Sequence, residues 1–117
     1  MGVDRETLRV ERARVADRAR SLRHELDSLA EQQALTSHDD EHDPEGVTIA
    51  VQRAQLQGLL AAAERERDDL DRAADRLAAG EYGVCARCGG PIAAERLTAL
   101  PATTTCIACA SASRRRR

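Results

Sequence analysis

The residues with the clearest chemical potential in this chain are four cysteines, arranged as two Cys-x-x-Cys pairs. The first pair is Cys85 and Cys88, and the second is Cys106 and Cys109. This spacing is typical of a four-thiolate zinc site, because each short loop brings two sulfurs to one tetrahedral ion. Four protein ligands leave no coordination position open for water or substrate. The pattern therefore predicts one structural Zn²⁺ and no catalytic metal.

Two other uses of the cysteines are weaker alternatives. A two-disulfide framework suits secreted proteins, but residues 1–6 lack the apolar core of a signal peptide. A redox-active Cys-x-x-Cys pair normally lies beside a βαβ pattern, and the sequence has none. Structural zinc is the favoured interpretation, and the expected compartment is the cytoplasm.

The composition is typical of long helices rather than of a large globular core. The chain has 117 residues with one Tyr and no Phe or Trp, and all 18 basic residues are arginine. The net charge is −2, and the last four residues are all arginine, so the remainder of the chain is more acidic. An acidic body argues against general coating of DNA. No stretch is long and apolar enough to cross a membrane.

Heptad patterns predict the fold class: a mostly α protein in which a long antiparallel coiled-coil hairpin over residues 1–79 precedes a small zinc finger. Residues 4–35 and 47–79 each read as one helix, and Gly80 is a natural stop for the second. We expect an intramolecular hairpin and hence a monomer. The predicted seam residues are Leu8, Val15, Ala19, Leu22, Leu26 and Leu29 in the first helix, and Ile49, Leu56, Leu60, Ala63, Leu70, Ala74 and Leu77 in the second.

The predicted turn of the hairpin, residues 37–46, is strongly acidic. Its carboxylates have no basic neighbour, and Pro44 and Gly46 favour a break between the helices. A charged turn is often only a solvated loop. The alternative is a partner-binding tip whose carboxylates approach a cation or basic side chains on another macromolecule. The candidate tip residues are Asp39, Asp40, Glu41, Asp43 and Glu45.

The zinc finger is predicted over residues 80–110, followed by a basic, disordered tail at 111–117. Its sequence resembles the DksA/TraR zinc-finger family. The matching elements surround both cysteine pairs: Gly80, Tyr82 and Gly83 before the first pair, Gly89 and Ile92 after it, and Arg96, Leu97, Ala99 and Pro101 before the second. A helical hairpin with an acidic tip agrees with the family's layout.

The resemblance implies a non-enzymatic transcription regulator that binds RNA polymerase and does not recognise a DNA sequence directly. Family members insert the hairpin into the secondary channel of the polymerase, where the tip approaches the catalytic centre. Their tip motif is Asp-x-x-Asp-x-Ala. Here Asp40 and Asp43 keep the spacing of the two aspartates, and Glu45 occupies the position of the alanine.

The resemblance also bears on the response to guanosine tetraphosphate. Responsive members carry basic residues at the positions of Asp69, Leu100 and Ala110. A phosphate-rich ligand would lose charge-assisted donors at all three positions. We therefore expect a weak or absent response to this alarmone.

Two further functions remain as alternatives. One is a nucleic-acid-binding zinc ribbon that uses Arg87, Arg96 and the arginine tail, although the chain lacks an aromatic platform for base stacking. The other is a coiled-coil adaptor or homodimer in which the finger is only a cap. In every case Tyr82 and Arg96 are predicted to be structural, holding the finger against the end of the second helix.

Overall fold

The structure, a computed structural model, describes residues 3–36 and 44–115. It contains four helices: α1 (Arg5–Thr36), α2 (Pro44–Ala78), α3 (Ala94–Ala99) and α4 (Ile107–Arg115). Among the described residues there is no extended strand, and β pairing is limited to one bridge between Val84 and Pro91. The predicted fold class, a long helical hairpin followed by a four-cysteine finger, is confirmed.

Helix α1 begins with a side-chain cap. The backbone N–H of Thr7 donates to Asp4 Oδ1 over 2.8 Å, and the Thr7 hydroxyl donates to the same oxygen over 2.7 Å. An Asp in this position satisfies an amide that has no partner within the helix. The N–H of Thr7 also lowers the pKa of Asp4, because it stabilises the carboxylate.

Helix α2 begins at Pro44, three residues before the predicted start at residue 47. Proline fits the first helical turn because its φ angle is already helical and an amide there needs no partner within the helix. At the other end, Gly80 adopts a φ of 76°, and its N–H donates to Leu77 O over 3.1 Å. The N–H of Glu81 donates to Arg76 O over 2.8 Å, which completes a glycine-based helix end.

The chain divides into two compact units, of which one comprises Arg14–Arg65. In this unit α1 and α2 pack together in antiparallel directions. Arg23 pairs with Glu64 at 2.6 Å, whereas Leu29, later in α1, lines a cavity together with Leu56, earlier in α2. The side chains most deeply buried here include two alanines, which allow the helices to approach closely. The buried residues are Val15, Ala19, Ile49 and Ala63.

The other unit comprises Met1–Ala13 and Glu66–Arg117. In its helical part Leu8 of α1 is buried, and so are Leu70 and Ala73 of α2. Arg12 Nε donates to Asp71 Oδ1 over 2.5 Å, so a charged pair flanks this packing. The predicted seam residue Ala74 is exposed, and Ala73 is buried in its place. The assignment of Ala74 was wrong by one residue, because a straight α-helix drifts relative to a strict seven-residue repeat.

The remaining predicted seam residues differ in how deeply they are buried. The leucines at the other predicted positions are half-buried rather than enclosed, so the seam is apolar but loosely covered. These residues are Leu22, Leu26, Leu29, Leu56, Leu60 and Leu77. In the described part of the chain, no helix is long and apolar enough to span a membrane.

Replacing a buried seam residue tests this packing. We expect Leu70→Ala to lower the free energy of unfolding by about 2–4 kcal/mol, because Leu70 is 2% exposed and its removal leaves a cavity. The measurement is urea unfolding of the zinc-loaded chain followed by circular dichroism. The matched control is Leu35→Ala, since Leu35 is 81% exposed. Equal losses for the two variants would contradict the assigned seam.

Candidate metal centre

The first cysteine pair lies in a tight backbone loop that we call the first knuckle, residues 84–91. The N–H of Cys85 donates to Gly90 O over 2.8 Å, and the N–H of Gly89 donates to Cys85 O over 2.9 Å. Gly89 has a φ of 75°, which a residue with a side chain rarely adopts. The N–H of Gly90 then points at Cys88 Sγ over 3.4 Å. The two glycines therefore shape the loop and supply a donor to a sulfur.

The second cysteine pair is placed by helix α4. Cys106 lies immediately before the helix, and Cys109 lies in its first turn. The N–H of Ala110 donates to Cys106 O over 3.0 Å. Amides in the first turn of a helix have no partner within the helix, so they are available to thiolates. The N–H of Cys109 is the main cause of the lowered pKa of Cys106.

The four sulfurs form one cluster in which each Sγ lies within 4.8 Å of the others. Cys88 Sγ and Cys106 Sγ are 3.8 Å apart. Tetrahedral zinc with Zn–S bonds of about 2.3 Å separates its sulfurs by about 3.8 Å, so the cluster has the right size for the ion. A disulfide requires about 2.05 Å. All four thiols are free in the structure, so the disulfide alternative does not describe it.

The protonation of the cluster also indicates a cation. Backbone N–H donors, that of Cys88 foremost, lower the pKa of Cys85 to about 6. Cys109 instead donates its proton to neighbouring sulfurs, Cys106 first, and its pKa is raised to about 12. Without a counter-ion, four adjacent thiols cannot all ionise, because like charges repel. A divalent cation bound between them would stabilise every thiolate. The sulfur cluster therefore fits a structural Zn²⁺.

The apolar core beneath the sulfurs is small. Only Cys85, Ile92 and Leu97 are buried, and the partly buried Val3 and Tyr82 pack against them with the second cysteine pair. So few buried side chains offset little of the entropy lost on ordering the segment. Metal ligation is therefore the main source of folding free energy in this finger.

Two side chains predicted to be structural brace the finger internally. The Tyr82 hydroxyl donates to Pro101 O over 2.8 Å. Arg96 Nε donates to Thr105 O over 2.9 Å. Both bonds tie the segment between the cysteine pairs. The predicted contact of these two side chains with the end of α2 stays a prediction.

Arg76 makes the contact between α2 and the finger, and the sequence reasoning missed it. Its Nη2 donates to Val84 O over 2.7 Å and to Glu81 O over 3.4 Å. Arg76 lies in the last turn of α2, where a cation is favoured by the carbonyl groups at the helix end. A basic residue four positions before the glycine at the helix end was the available signal.

The residues predicted for the acidic tip and for the alarmone response lie outside the metal centre. Asp39, Asp40, Glu41 and Asp43 lie outside the described residues, and so does the side chain of Glu45. The acidic tip therefore stays a prediction. Of the three alarmone-related positions, Asp69 pairs with Arg72 on the surface of α2, Leu100 is exposed, and Ala110 lies on α4.

The comparison with protein families bears on the segment that holds the sulfurs. Residues 80–115 match the model of the prokaryotic dksA/traR C4-type zinc finger. The chain carries a zinc finger of the DksA/TraR family. The matched segment contains both cysteine pairs, Tyr82 and Arg96.

A solved structure resembles the chain beyond the DksA/TraR finger. The structure of transcription factor DksA2 from Pseudomonas aeruginosa is similar with a TM-score of 0.57 and 24% sequence identity. The similarity covers 97% of this chain and 88% of the other. At this identity it establishes the fold, in which a helical hairpin precedes the finger. A comparison of the sequence with curated proteins finds no match.

The contact of Arg76 with the DksA/TraR finger can be tested directly. We expect Arg76→Ala to increase amide hydrogen exchange at residues 84–90 about tenfold, because one charge-assisted bond contributes about 1.5 kcal/mol to holding this loop. The measurement is native-state exchange followed by mass spectrometry. Arg72→Ala is the matched control, since Arg72 lies one turn before Arg76 and pairs with Asp69 on the surface of α2. Equal exchange in both variants would refute the role of Arg76.

Acidification tests the thiolate cluster. The pKa of Cys85 is lowered to about 6, so its thiolate stabilises the fold above the ordinary thiol pKa and this contribution is lost as the pH falls through the lowered value. Bound zinc lowers the pKa further. We expect one equivalent of zinc to stay bound at pH 7.5 and to be released with a midpoint below pH 6, as measured with a chromogenic chelator.

The control for acid release is Cys88→Ser, which removes one ligand and leaves the other three thiols. This variant should release zinc at a pH at least about one unit higher, because three thiolates bind the ion less tightly. Zinc that is absent from the wild type at pH 7.5, or released identically by both proteins, would argue against the four-sulfur site.

Proposed function

We propose that this chain is a non-enzymatic transcription regulator that binds RNA polymerase through the secondary channel. The observation that carries the proposal is a combination of two features in one chain. A zinc finger of the DksA/TraR family follows two long helices, and the fold is similar to that of a transcription factor over 97% of this chain. The finger alone would be a weaker argument, because small zinc modules occur in many functional classes.

The chemistry of the metal centre supports a structural, non-catalytic role for the finger. Four cysteine ligands complete the tetrahedral coordination of zinc, so no position is open to activate a water or a substrate. When bound, the ion supplies folding free energy and fixes the segment between the two cysteine pairs. The finger then acts as a rigid base for the helices, and its surface is available to a protein partner.

The helices supply the part that enters the channel. Helices α1 and α2 contain 32 and 35 residues, and a helix of this size is about 50 Å long. Ion pairs between the helices, such as Arg12 with Asp71 and Arg23 with Glu64, support the hairpin before a partner is present. An element that is already ordered loses less entropy on insertion than a flexible one.

The acidic tip is the proposed effector. In this proposal the hairpin delivers the five carboxylates of residues 37–46 to the interior of the polymerase, where Mg²⁺ and basic side chains attract negative charge. Asp40 and Asp43 retain the spacing of the two aspartates in the family's tip motif. We assign the regulatory effect to these carboxylates and the binding energy mainly to the helices and the finger.

The test separates binding from regulation. We expect the variant Asp40→Ala, Asp43→Ala, Glu45→Ala to bind purified bacterial RNA polymerase with an affinity within about threefold of the wild type, because the tip supplies little of the interface. Its effect on transcription in vitro should fall at least about tenfold. Affinity is measured by fluorescence anisotropy of labelled protein, and the effect by single-round transcription.

The matched control removes the same charge from the helices: Asp17→Ala, Asp27→Ala, Asp75→Ala. These carboxylates are exposed and distant in sequence from the tip, so their loss should leave the transcriptional effect unchanged. An equal loss of effect in the two triple variants would indicate general electrostatics instead of a tip. No binding of the wild type to the polymerase would overturn the proposed function.

A further inference from the structure

A cavity of about 340 Å³ lies at the surface of the finger, apart from the sulfur cluster. Arg87 enters it from the first knuckle, and Thr105 from the segment before the second cysteine pair. Helix α4 contributes Ala110, Ser113 and Arg114. We call this the Arg87–Arg114 cavity. Two arginines that are distant in sequence therefore line one cavity together with the hydroxyl-bearing residues Thr105 and Ser113.

Neither guanidinium of this cavity is neutralised. In the part of the chain that the structure describes, Arg87 and Arg114 have no carboxylate partner, and no acidic residue lines the cavity. Arg12 and Arg23 on α1, in contrast, are paired with acidic residues of α2. Two unpaired cations that share a cavity repel each other, and an anion between them relieves that repulsion.

Positive and negative charge are also unevenly distributed along the sequence, with the positive excess in the C-terminal part. Residues 80–117 carry six arginines and two glutamates, whereas residues 1–79 carry twelve arginines and eighteen acidic residues. Arg96 is the one arginine of the finger that is occupied internally, through its bonds to Thr105 O and Thr103 Oγ1. Residues 80–110 carry two arginines and two glutamates, so the positive excess of this part comes from the four arginines at 114–117.

The donors in the cavity match a phosphate group. A guanidinium presents parallel N–H groups at the spacing of two phosphate oxygens, and hydroxyls donate to phosphate in many nucleic-acid complexes. The chain has no Phe or Trp, and the hydroxyl of its one tyrosine is bonded to Pro101 O. A stacking platform for bases is therefore missing from the sequence.

The sequence that follows the cavity favours a polymer over a small anion. Arg114 is the first of four consecutive arginines. A row of cations suits the repeated phosphates of a polynucleotide, because each contact releases a condensed counter-ion and adds to the affinity. An isolated phosphate ion would engage the cavity alone.

We infer that the Arg87–Arg114 cavity binds a backbone phosphate of duplex nucleic acid, with no preference for base sequence. This goes beyond the proposed function and does not depend on it. Such a contact would anchor the finger to DNA near its site of action, and it is compatible with the expected absence of sequence-specific recognition.

The experiment measures binding of the zinc-loaded full chain to a labelled 20-base-pair DNA duplex, by fluorescence anisotropy over a range of NaCl concentrations and without polymerase. We expect Arg87→Ala, Arg114→Ala to weaken binding at least about tenfold at low salt. The magnitude of the slope of log K against log[NaCl] should fall by about 0.9, since this is the change expected when one phosphate contact is removed. A second duplex of unrelated sequence should bind equally.

Two controls distinguish the cavity from general positive charge. The double variant Arg5→Ala, Arg65→Ala removes the same charge from the helices and should leave the slope unchanged. Arg115→Ala removes the neighbour of Arg114, which does not line the cavity. We expect Arg114→Ala to weaken binding several-fold more than Arg115→Ala. The zinc content of every variant is measured to confirm that the finger is intact.

Four results would overturn the inference. Three of them are no duplex binding by the wild type at 50 mM NaCl, equal effects of Arg114→Ala and Arg115→Ala, and equal effects of the two double variants. Inorganic phosphate separates the two sources of the anion. Displacement of the duplex no greater than by chloride at equal ionic strength supports the backbone contact. Displacement by micromolar phosphate would assign the cavity to a small ligand instead. Because polymerase is absent, each of these outcomes leaves the proposed function untouched.

Discussion

Four thiol groups within 4.8 Å of one another can ionise together only around a cation, and the finger depends on this constraint. Its three buried side chains enclose too little apolar surface to order the segment between the two cysteine pairs. Metal ligation and folding of the finger are therefore one process. The hydrogen bonds of Tyr82 and Arg96 within the finger restrict the conformations of the segment between the cysteine pairs once the sulfurs are held. They do not replace the ion.

The end of α2 connects the ordered finger to the helices. Gly80 ends the helix with a left-handed residue, and Arg76 donates to carbonyl groups of the finger within the same unit. A metal-dependent module and a helical pair are thus joined by a glycine turn and one guanidinium. If the protein acts through its helices, as proposed, the zinc ion contributes by fixing the base from which they extend.

The sequence was sufficient to predict the features that rest on strict spacing. The two cysteine pairs and the heptads each impose a geometry that few other arrangements satisfy, so the metal centre and the paired helices were predictable. The burial of Ala73 and the contact of Arg76 were not, because they depend on how a helix rotates and on which carbonyl lies near its end. Residues 111–115 were predicted to be disordered, but they are helical. Helix α4 continues through small residues into the run of arginines and ends at Arg115.

The half-buried leucines of the unit Arg14–Arg65 have a dynamic consequence. Its deepest positions include Ala19 and Ala63, which contribute little apolar area, while larger neighbours such as Leu26 and Leu60 keep part of their surface in water. Water next to a helix pair lowers the cost of transient local opening. We therefore expect local opening to be more frequent in this unit than in the finger that holds the metal.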